Sequence, residues 1–134
     1  MRHSPPLILV ADDDPMFVEL LREILTDAGY AALTCLSGSE AYALACREHP
    51  DAIILDVQME QRYTGMLTLQ RLRETPATTA TPVILCSADT AALDTLQHYL
   101  QTYHCEVLMK PLQVEALLRL VRQVLGEPPR AAHG

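Results

Sequence analysis

Short apolar runs and amphipathic stretches alternate along this chain, and that alternation limits the fold to one architectural class. The apolar runs are too short for most helices and lie at residues 7–11, 30–35, 52–55, 83–86 and 105–109. Stretches with the helical spacing of apolar residues follow them, at residues 15–28, 39–47, 66–72, 91–101 and 114–125. In the first of these stretches, one apolar stripe is expected to face inward, formed by Phe17, Leu20, Leu21, Ile24 and Leu25. Ser39 is placed to cap the second. Because the two patterns alternate throughout, the sequence predicts an α/β domain with a parallel sheet and helices on both faces.

The run at 52–55 ends on a carboxylate, Asp56. Its uninterrupted apolar character predicts a strand buried on both faces, and the carboxyl edge of such a sheet is where open α/β folds carry their sites. A single aspartate at this position can equally cap a loop. Three other runs also end on polar groups, namely three aspartates at 12–14, Ser87, and Lys110 followed by Pro111. Parallel strands would bring all of these groups to one edge.

The aspartates predict a site for a divalent cation. Right-handed crossovers place the first and third strands side by side, so Asp12, Asp13 and Asp56 are expected to converge. Clustered carboxylates raise each other's pKa, and a set of oxygen ligands on a rigid edge suits Mg²⁺. The spacing of residues 12–14 does not match a calcium-binding EF-hand loop. We expect Asp14 only to cap the following helix, where a carboxylate stabilises by ~0.3–1 kcal/mol.

Lys110 and Ser87 extend the predicted site. A lysine after a strand is usually a solvated charge, but here Pro111 fixes the backbone and Ser87 ends the neighbouring strand. The ammonium group of Lys110 can pair with Asp56 or hold a phosphoryl oxygen. A metal, a lysine, a hydroxyl and a nucleophilic carboxylate together match phosphoryl transfer onto an aspartate, a reaction that depends on positioning and charge neutralisation.

Four segments resemble, in this order, the receiver domain of two-component response regulators. They are LILVADDDP, PDAIILDVQM, TPVILCSA and VLMKPL, and the resemblance extends over about residues 7–125. It implies a flavodoxin-like, doubly wound, five-stranded parallel sheet with strand order 2-1-3-4-5. It makes Asp56 the phosphoacceptor, with Lys110 and Ser87 assisting. It makes Mg²⁺ the cofactor, held by Asp13, Asp56 and the backbone carbonyl of Gln58, with Asp12 reaching the metal through water.

The same resemblance implies a role in a phosphorelay. The domain would take a phosphoryl group from a sensor histidine kinase, a phosphotransfer protein or a small acyl phosphate, and it would switch a downstream effector domain or protein. It would be a signalling module and not an enzyme, apart from its own phosphorylation and dephosphorylation. We expect residues 1–126 to form the receiver domain and residues 127–134, which include two prolines, to be a tail or the start of a linker.

The sequence departs from the family pattern at three places. Met59 is followed by Glu-Gln-Arg-Tyr where the family usually has Pro-Gly, with one extra residue before Gly65. Val107 stands where the family usually has Tyr or Phe, and residues 101–104 replace the usual small-residue turn. None of these changes removes a metal ligand. The predicted helix at 91–101 also contains no Lys or Arg, so we expect a monomer or a weak dimer.

Other function classes fit the sequence less well. The main alternative is a receiver-like module that signals by protein contacts without phosphorylation, although such a module has no need for a cluster of like charges. A phosphatase resembling the haloacid dehalogenases also uses an aspartate at a strand end, but the last position of its D-x-D-x-[TV] pattern is Met16 here. A dinucleotide-binding fold would need a G-x-G-x-x-G motif, which the sequence lacks.

The net charge, the apolar runs and the cysteines limit which partners and which cellular compartment we expect for this chain. The formal net charge of −7 argues against direct binding of this domain to nucleic acid or to an anionic membrane. No apolar run approaches the ~20 residues of a membrane span, and the first residues contain no signal-peptide core. The four cysteines are scattered, as expected for small buried side chains in a reducing compartment and not for a zinc site. We therefore expect a cytoplasmic protein.

Overall fold

The computed structural model describes residues 4–89, 97–98 and 101–127. The strands are β1 Leu7–Ala11, β2 Ala31–Cys35, β3 Ala52–Asp56, β4 Val83–Ser87 and β5 Glu106–Met109. The helices assigned within these ranges are α1 Pro15–Asp27, α2 Gly38–Glu48, α3 Thr64–Arg73 and α4 Val114–Val124. Most of the helix predicted at 91–101 lies outside the described residues. None of the described helices is long and apolar enough to cross a membrane.

All neighbouring strands pair in parallel, in the order β2-β1-β3-β4-β5. This confirms the predicted α/β class and the strand order 2-1-3-4-5. The central strand β3 is buried along its whole length, as expected for a strand covered on both faces. The edge strand β2 is mostly half-buried. The carboxyl ends of β1 and β3 therefore lie side by side in the middle of one edge.

Strand side chains alternate between two apolar cores, one on each face of the sheet. The α2–α3 core includes Leu9, Ile53, Leu55 and Leu85 from the strands, and Ala41, Ala45, Met66, Leu69 and Leu72 from the helices. The α1–α4 core includes Ile8, Val10, Ile54 and Ile84 from the strands, and Val18, Leu21, Leu25, Leu117 and Val121 from the helices. Most side chains in both cores are aliphatic. The polar groups lie at the carboxyl edge of the sheet, outside these cores.

Side chains cap the first two helices, and one cap differs from the sequence prediction. Asp14 accepts a hydrogen bond from the backbone N–H of Met16 at 3.0 Å, which confirms its predicted role at the start of α1. The helix α2 is capped by Ser37, which accepts from the N–H of Glu40 at 3.2 Å. The prediction that Ser39 caps this helix is wrong, because α2 begins at Gly38 and Ser39 already lies in its first turn.

The apolar stripe of α1 also differs from the prediction, because Val18 is buried and Leu20 is not. The row that packs on the sheet is Val18, Leu21 and Leu25. Leu20 was expected to face inward, but it is 53% exposed. The row at i, i+3 and i+7 covers the sheet, so a side chain one position before Leu21 is turned away from it.

Candidate functional site

Three aspartates converge at the carboxyl edge of the central strands. Asp12 follows β1 and Asp56 ends β3, and the pairing of Ala11 with Leu55 brings these strand ends together. Each of Asp12, Asp13 and Asp56 offers one carboxylate oxygen within 4.8 Å of the others. Asp12 and Asp56 are buried, whereas Asp13 is exposed. We call these three residues the acid cluster.

Lys110 reaches the acid cluster from the end of β5. Its Nζ donates a hydrogen bond to Oδ2 of Asp12 at 2.7 Å and lies 3.4 Å from Oδ2 of Asp56. The backbone N–H of Lys110 donates to the carbonyl oxygen of Ser87 at 2.8 Å, which ties this corner to the end of β4. The ammonium group also lies 4.3 Å from the centre of the Phe17 ring, within the range of a cation–π contact. The lysine is thus held by two carboxylates and one aromatic face.

Burial and mutual repulsion perturb the charges of this site. Desolvation and, after it, the charge of Asp12 raise the pKa of Asp56 to about 7, although Lys110 offsets part of the increase. Burial and the neighbouring Asp12 also raise the pKa of Asp13. Burial alone would lower the pKa of Lys110, but its hydrogen bond to Asp12 and the two carboxylate charges outweigh that effect and raise it. One ammonium group is therefore not enough to balance the three carboxylates.

Asp12 has the most complete set of partners in the acid cluster. Its Oδ1 accepts from the backbone N–H of Asp14 at 3.0 Å, and its Oδ2 accepts from Lys110. Its own N–H donates to the carbonyl oxygen of Cys35 at 3.2 Å. Both carboxylate oxygens of Asp12 are therefore already engaged by the protein, which fixes the carboxylate at the back of the site.

Two further predicted site residues lie near strand ends: Ser87 ends β4, and Gln58 follows the end of β3. Ser87 is buried at the end of β4, and its Oγ accepts from the backbone N–H of Asp89 at 3.1 Å. Gln58 is exposed and lies two residues after Asp56, on the loop that leaves β3. The structure thus brings Asp12, Asp13, Asp56 and Lys110 into one cluster, with Ser87 at the end of the adjacent strand.

Sequence reasoning missed three residues around the site. Phe17 was assigned only to the apolar stripe of α1, whereas its ring lies under the ammonium of Lys110. Gly65 lies in the first turn of α3, so close to β3 that a Cβ atom there would overlap the carbonyl oxygen of Asp56. Glu60 was noted only as part of the departure from the family pattern after Met59, but its carboxylate accepts from the backbone N–H of Gly38, the first residue of α2. Only Gly65 carried a signal, since a glycine before an apolar helix can mark a close backbone approach.

The donors of the acid cluster fit a small, hard divalent cation. All three are carboxylate oxygens, which Mg²⁺ and similar ions prefer. The exposure of Asp13 leaves one side of the cluster open to water, and Mg²⁺ usually keeps several water ligands. The excess negative charge described above would be neutralised by such an ion. The chain's own residues therefore suit a metal at this edge.

A comparison with protein families decides the classification. The model of the response regulator receiver domain matches residues 8–122. The chain belongs to this family. Receiver domains are signalling modules of two-component systems, and they typically bind a divalent metal in an acidic site. The acid cluster of this receiver domain is consistent with a phosphoacceptor site.

Individual relatives support this classification. The receiver domain is 34% identical over 125 residues to RpaA of Synechocystis, a DNA-binding dual master transcriptional regulator; the match covers 93% of this chain and 51% of RpaA. This chain therefore spans about half the length of that relative. An uncharacterised 14.6 kDa protein of Leptolyngbya boryana is 36% identical, and the match covers 92% of this chain and 94% of that protein. The chemotaxis response regulator CheY4 of Vibrio cholerae has a similar structure, with a TM-score of 0.79, 27% identity, and coverage of 90% of this chain and 98% of its own.

Proposed function

We propose that this receiver domain accepts a phosphoryl group on Asp56 from a phosphohistidine donor, in a reaction that depends on Mg²⁺, and that it switches a downstream effector. One observation carries the proposal: Asp12, Asp13 and Asp56 offer carboxylate oxygens within 4.8 Å of one another, beside Lys110. A module that only bound other proteins would have no reason to keep three carboxylates against one ammonium group.

The roles of the residues follow from their surroundings. The residues that would hold Mg²⁺ are Asp13, Asp56 and the backbone carbonyl of Gln58, with Asp12 reaching the ion through water. Once bound, the ion would neutralise the acid cluster and the transferred phosphoryl oxygens. Asp12 is held in place by Lys110 and by the N–H of Asp14, so it would contribute a fixed charge.

Asp56 would act as the nucleophile. One of its carboxylate oxygens attacks phosphorus, the new O–P bond forms, and the P–N bond of the donor breaks with its electron pair going to the imidazole nitrogen. The ammonium group of Lys110, 3.4 Å from Asp56, can move onto a phosphoryl oxygen because it is already aimed at that carboxylate. The hydroxyl of Ser87 would supply a second donor to the phosphoryl group.

Phosphorylation of the purified chain tests this proposal. Acetyl phosphate with Mg²⁺ should add one phosphoryl group, seen by mass spectrometry, and Asp56→Asn should remove it. Asp13→Ala should lower both labelling and Mg²⁺ affinity, whereas its neighbour Asp14→Ala should change them little, because Asp14 caps α1. Equal labelling of wild type and Asp56→Asn would exclude Asp56 as the acceptor. Labelling of neither protein by acetyl phosphate or a histidine kinase would favour a module that works without phosphorylation.

The partners and boundaries follow from the same function. The donor would be a sensor histidine kinase or a phosphotransfer protein, and the output would pass to an effector domain or a separate protein in the cytoplasm. We assign residues 1–126 to the receiver domain and residues 127–134 to a tail or linker. Since the receiver carries a net charge of −7, contact with nucleic acid would belong to an effector and not to this domain.

A further inference from the structure

The loop that carries Gln58 is fixed at both of its ends by the sheet and by α3. The backbone N–H of Val57 donates to the carbonyl oxygen of Cys86 at 2.8 Å, and the carbonyl of Val57 accepts from Gly65 at 2.8 Å. Met59 is buried in the α2–α3 core. Between these anchors, Gln58 is exposed and lies two residues after Asp56. The position of its carbonyl group therefore depends on how the next residues of the loop are held.

Glu60 holds the outer part of this loop against α2. Its two carboxylate oxygens accept from the backbone N–H of Gly38 at 3.0 and 3.2 Å. Gly38 is the first residue of α2, where free N–H groups and the helix dipole favour an anion. The contact joins two residues that are 22 positions apart in the chain.

Gly38 is itself fixed by close packing against α3. A Cβ atom at this position would lie 2.6 Å from Oγ1 of Thr68 and 2.7 Å from Cγ2 of Thr64, which is too close for any larger residue. The start of α2 is therefore a rigid support, because it packs directly on the first turns of α3. A loop that is bonded to this support is held relative to Asp56 as well, since Gly65 packs against the backbone of that residue.

The contact is not needed to cap α2. Ser37 already accepts from the N–H of Glu40, which satisfies the usual capping position. Glu40 also lies in the first turn of the helix and supplies a second carboxylate there. What Glu60 adds is a bond between this helix end and the loop after Asp56.

We propose that Glu60 is a positioning residue: by bonding to Gly38 it holds the loop of Gln58 in place and so strengthens the binding of a divalent cation to the acid cluster. This inference rests on the proposed function, because it assumes that the backbone carbonyl of Gln58 is a metal ligand. Residues that orient a metal ligand usually change affinity by about tenfold to a hundredfold when they are removed. Glu60 acts across two peptide units, so a smaller effect is expected.

Calorimetric titration of the full chain with Mg²⁺ tests the inference through a pair of matched variants. Glu60→Ala and Glu40→Ala each remove one carboxylate from the start of α2, but only Glu60 belongs to the loop after Asp56. Glu60→Ala should raise the Kd for Mg²⁺ by about threefold to tenfold. Glu40→Ala should leave the Kd unchanged. Glu60→Gln, which keeps one oxygen acceptor, should fall between wild type and Glu60→Ala and also serves if the alanine variant does not fold.

A backbone readout separates positioning from stability. In NMR spectra of the wild type, Mg²⁺ should shift the amide signal of Gly38, and this shift should disappear in Glu60→Ala. An unchanged Kd in Glu60→Ala, or an equal loss in Glu40→Ala, would overturn the inference while the proposed metal site stands. Asp13→Ala serves as the reference for that site, because it removes a proposed ligand and should weaken Mg²⁺ binding more than Glu60→Ala does. Absence of Mg²⁺ binding by the wild type would overturn both the proposed function and this inference.

Discussion

The ammonium group of Lys110 lies closer to Asp12, at 2.7 Å, than to the proposed phosphoacceptor, at 3.4 Å. Lys110 is the only lysine in the sequence, so no other lysine can replace it. The shorter contact is a hydrogen bond to the buried Asp12, whereas the contact with Asp56 is an ion pair at a longer distance. The carboxylate of Asp56 is left only partly compensated, which agrees with its raised pKa.

Removal of either partner of this pair should destabilise the protein through the charge that is left behind. Lys110→Met should lower the free energy of unfolding by about 2–4 kcal/mol, since Asp12 would be buried without its cation. The double variant Lys110→Met with Asp12→Asn should lose less free energy of unfolding than the sum of the losses in the two single variants. Urea unfolding at pH 7.5 with EDTA measures all three. Additive losses would mean that the two side chains do not interact energetically.

The raised pKa of Asp56 predicts a stability that falls with rising pH. The folded protein holds this proton up to a pH of about 7, whereas the unfolded chain releases it near the usual value for aspartate. Between these values the folded state binds more protons, so wild-type stability should decrease as the pH rises from about 4 to about 7. Asp56→Asn should therefore be more stable than wild type at pH 8, by about 1–3 kcal/mol, with a smaller difference at pH 4.5.

Unfolding of both proteins in metal-free buffer at the two pH values checks this. Asp14→Asn is a suitable control, because Asp14 caps α1 outside the acid cluster and asparagine also caps helices well. If Asp56→Asn were more stable than wild type by the same amount at both pH values, burial of the charged carboxylate could not be the cause of the added stability.

Gly65 should not tolerate a larger residue, because the backbone of β3 lies too close to its Cα atom. Gly65→Ala would place a Cβ atom against the backbone of Asp56 and Val57, so β3 and α3 would have to separate. We expect Gly65→Ala to lower the free energy of unfolding by about 2 kcal/mol or more. Gly29→Ala is the matched control: Gly29 has φ of +98°, but a Cβ atom at that position would meet no other atom within 4 Å, so only about 1 kcal/mol of backbone strain is expected there. Thermal and urea unfolding would rank the two variants.

Arg73 should stabilise the edge of the sheet opposite the acid cluster. Its Nε donates to the carbonyl oxygen of Tyr103 at 2.7 Å, its Nη1 donates to Thr81 at 2.7 Å, and its Nη2 donates to His104 at 3.2 Å. A lysine ammonium group cannot contact all three of these carbonyl oxygens at once. Arg73→Lys should therefore lower the free energy of unfolding by about 1–3 kcal/mol. Arg71→Lys, on the same helix, should lose less. Equal losses by urea unfolding would contradict a specific role of the guanidinium group.

Activation should cause little dimerisation. Val107 is short, β-branched and half-buried against the α2–α3 core, so it cannot move a large volume as an aromatic side chain would. Sedimentation velocity with and without beryllofluoride should show a monomer or a weak dimer in both states. A tight dimer that forms only with beryllofluoride and is abolished by Arg119→Glu would contradict this expectation.

Local patterns predicted the strands and their polar ends, because each strand needs only a few consecutive residues to be recognised. The role of Asp14 was predictable for the same reason, since a cap involves neighbours in sequence. The bond between Glu60 and Gly38 was not, because it depends on how two loops from separate strands meet in space. The preference of Lys110 for Asp12 over Asp56 depends on differences of less than 1 Å in side-chain placement, which no residue pattern contains.

The division of the strand side chains between two cores gives this domain two independent outer surfaces. The helices α2 and α3 cover one face of the sheet, and α1 and α4 cover the other. The two groups of side chains are separated by the sheet backbone, so a surface substitution on α2 need not disturb α1. Two different proteins could therefore occupy opposite sides of the molecule at the same time, one at each helix pair, without competing for the same residues.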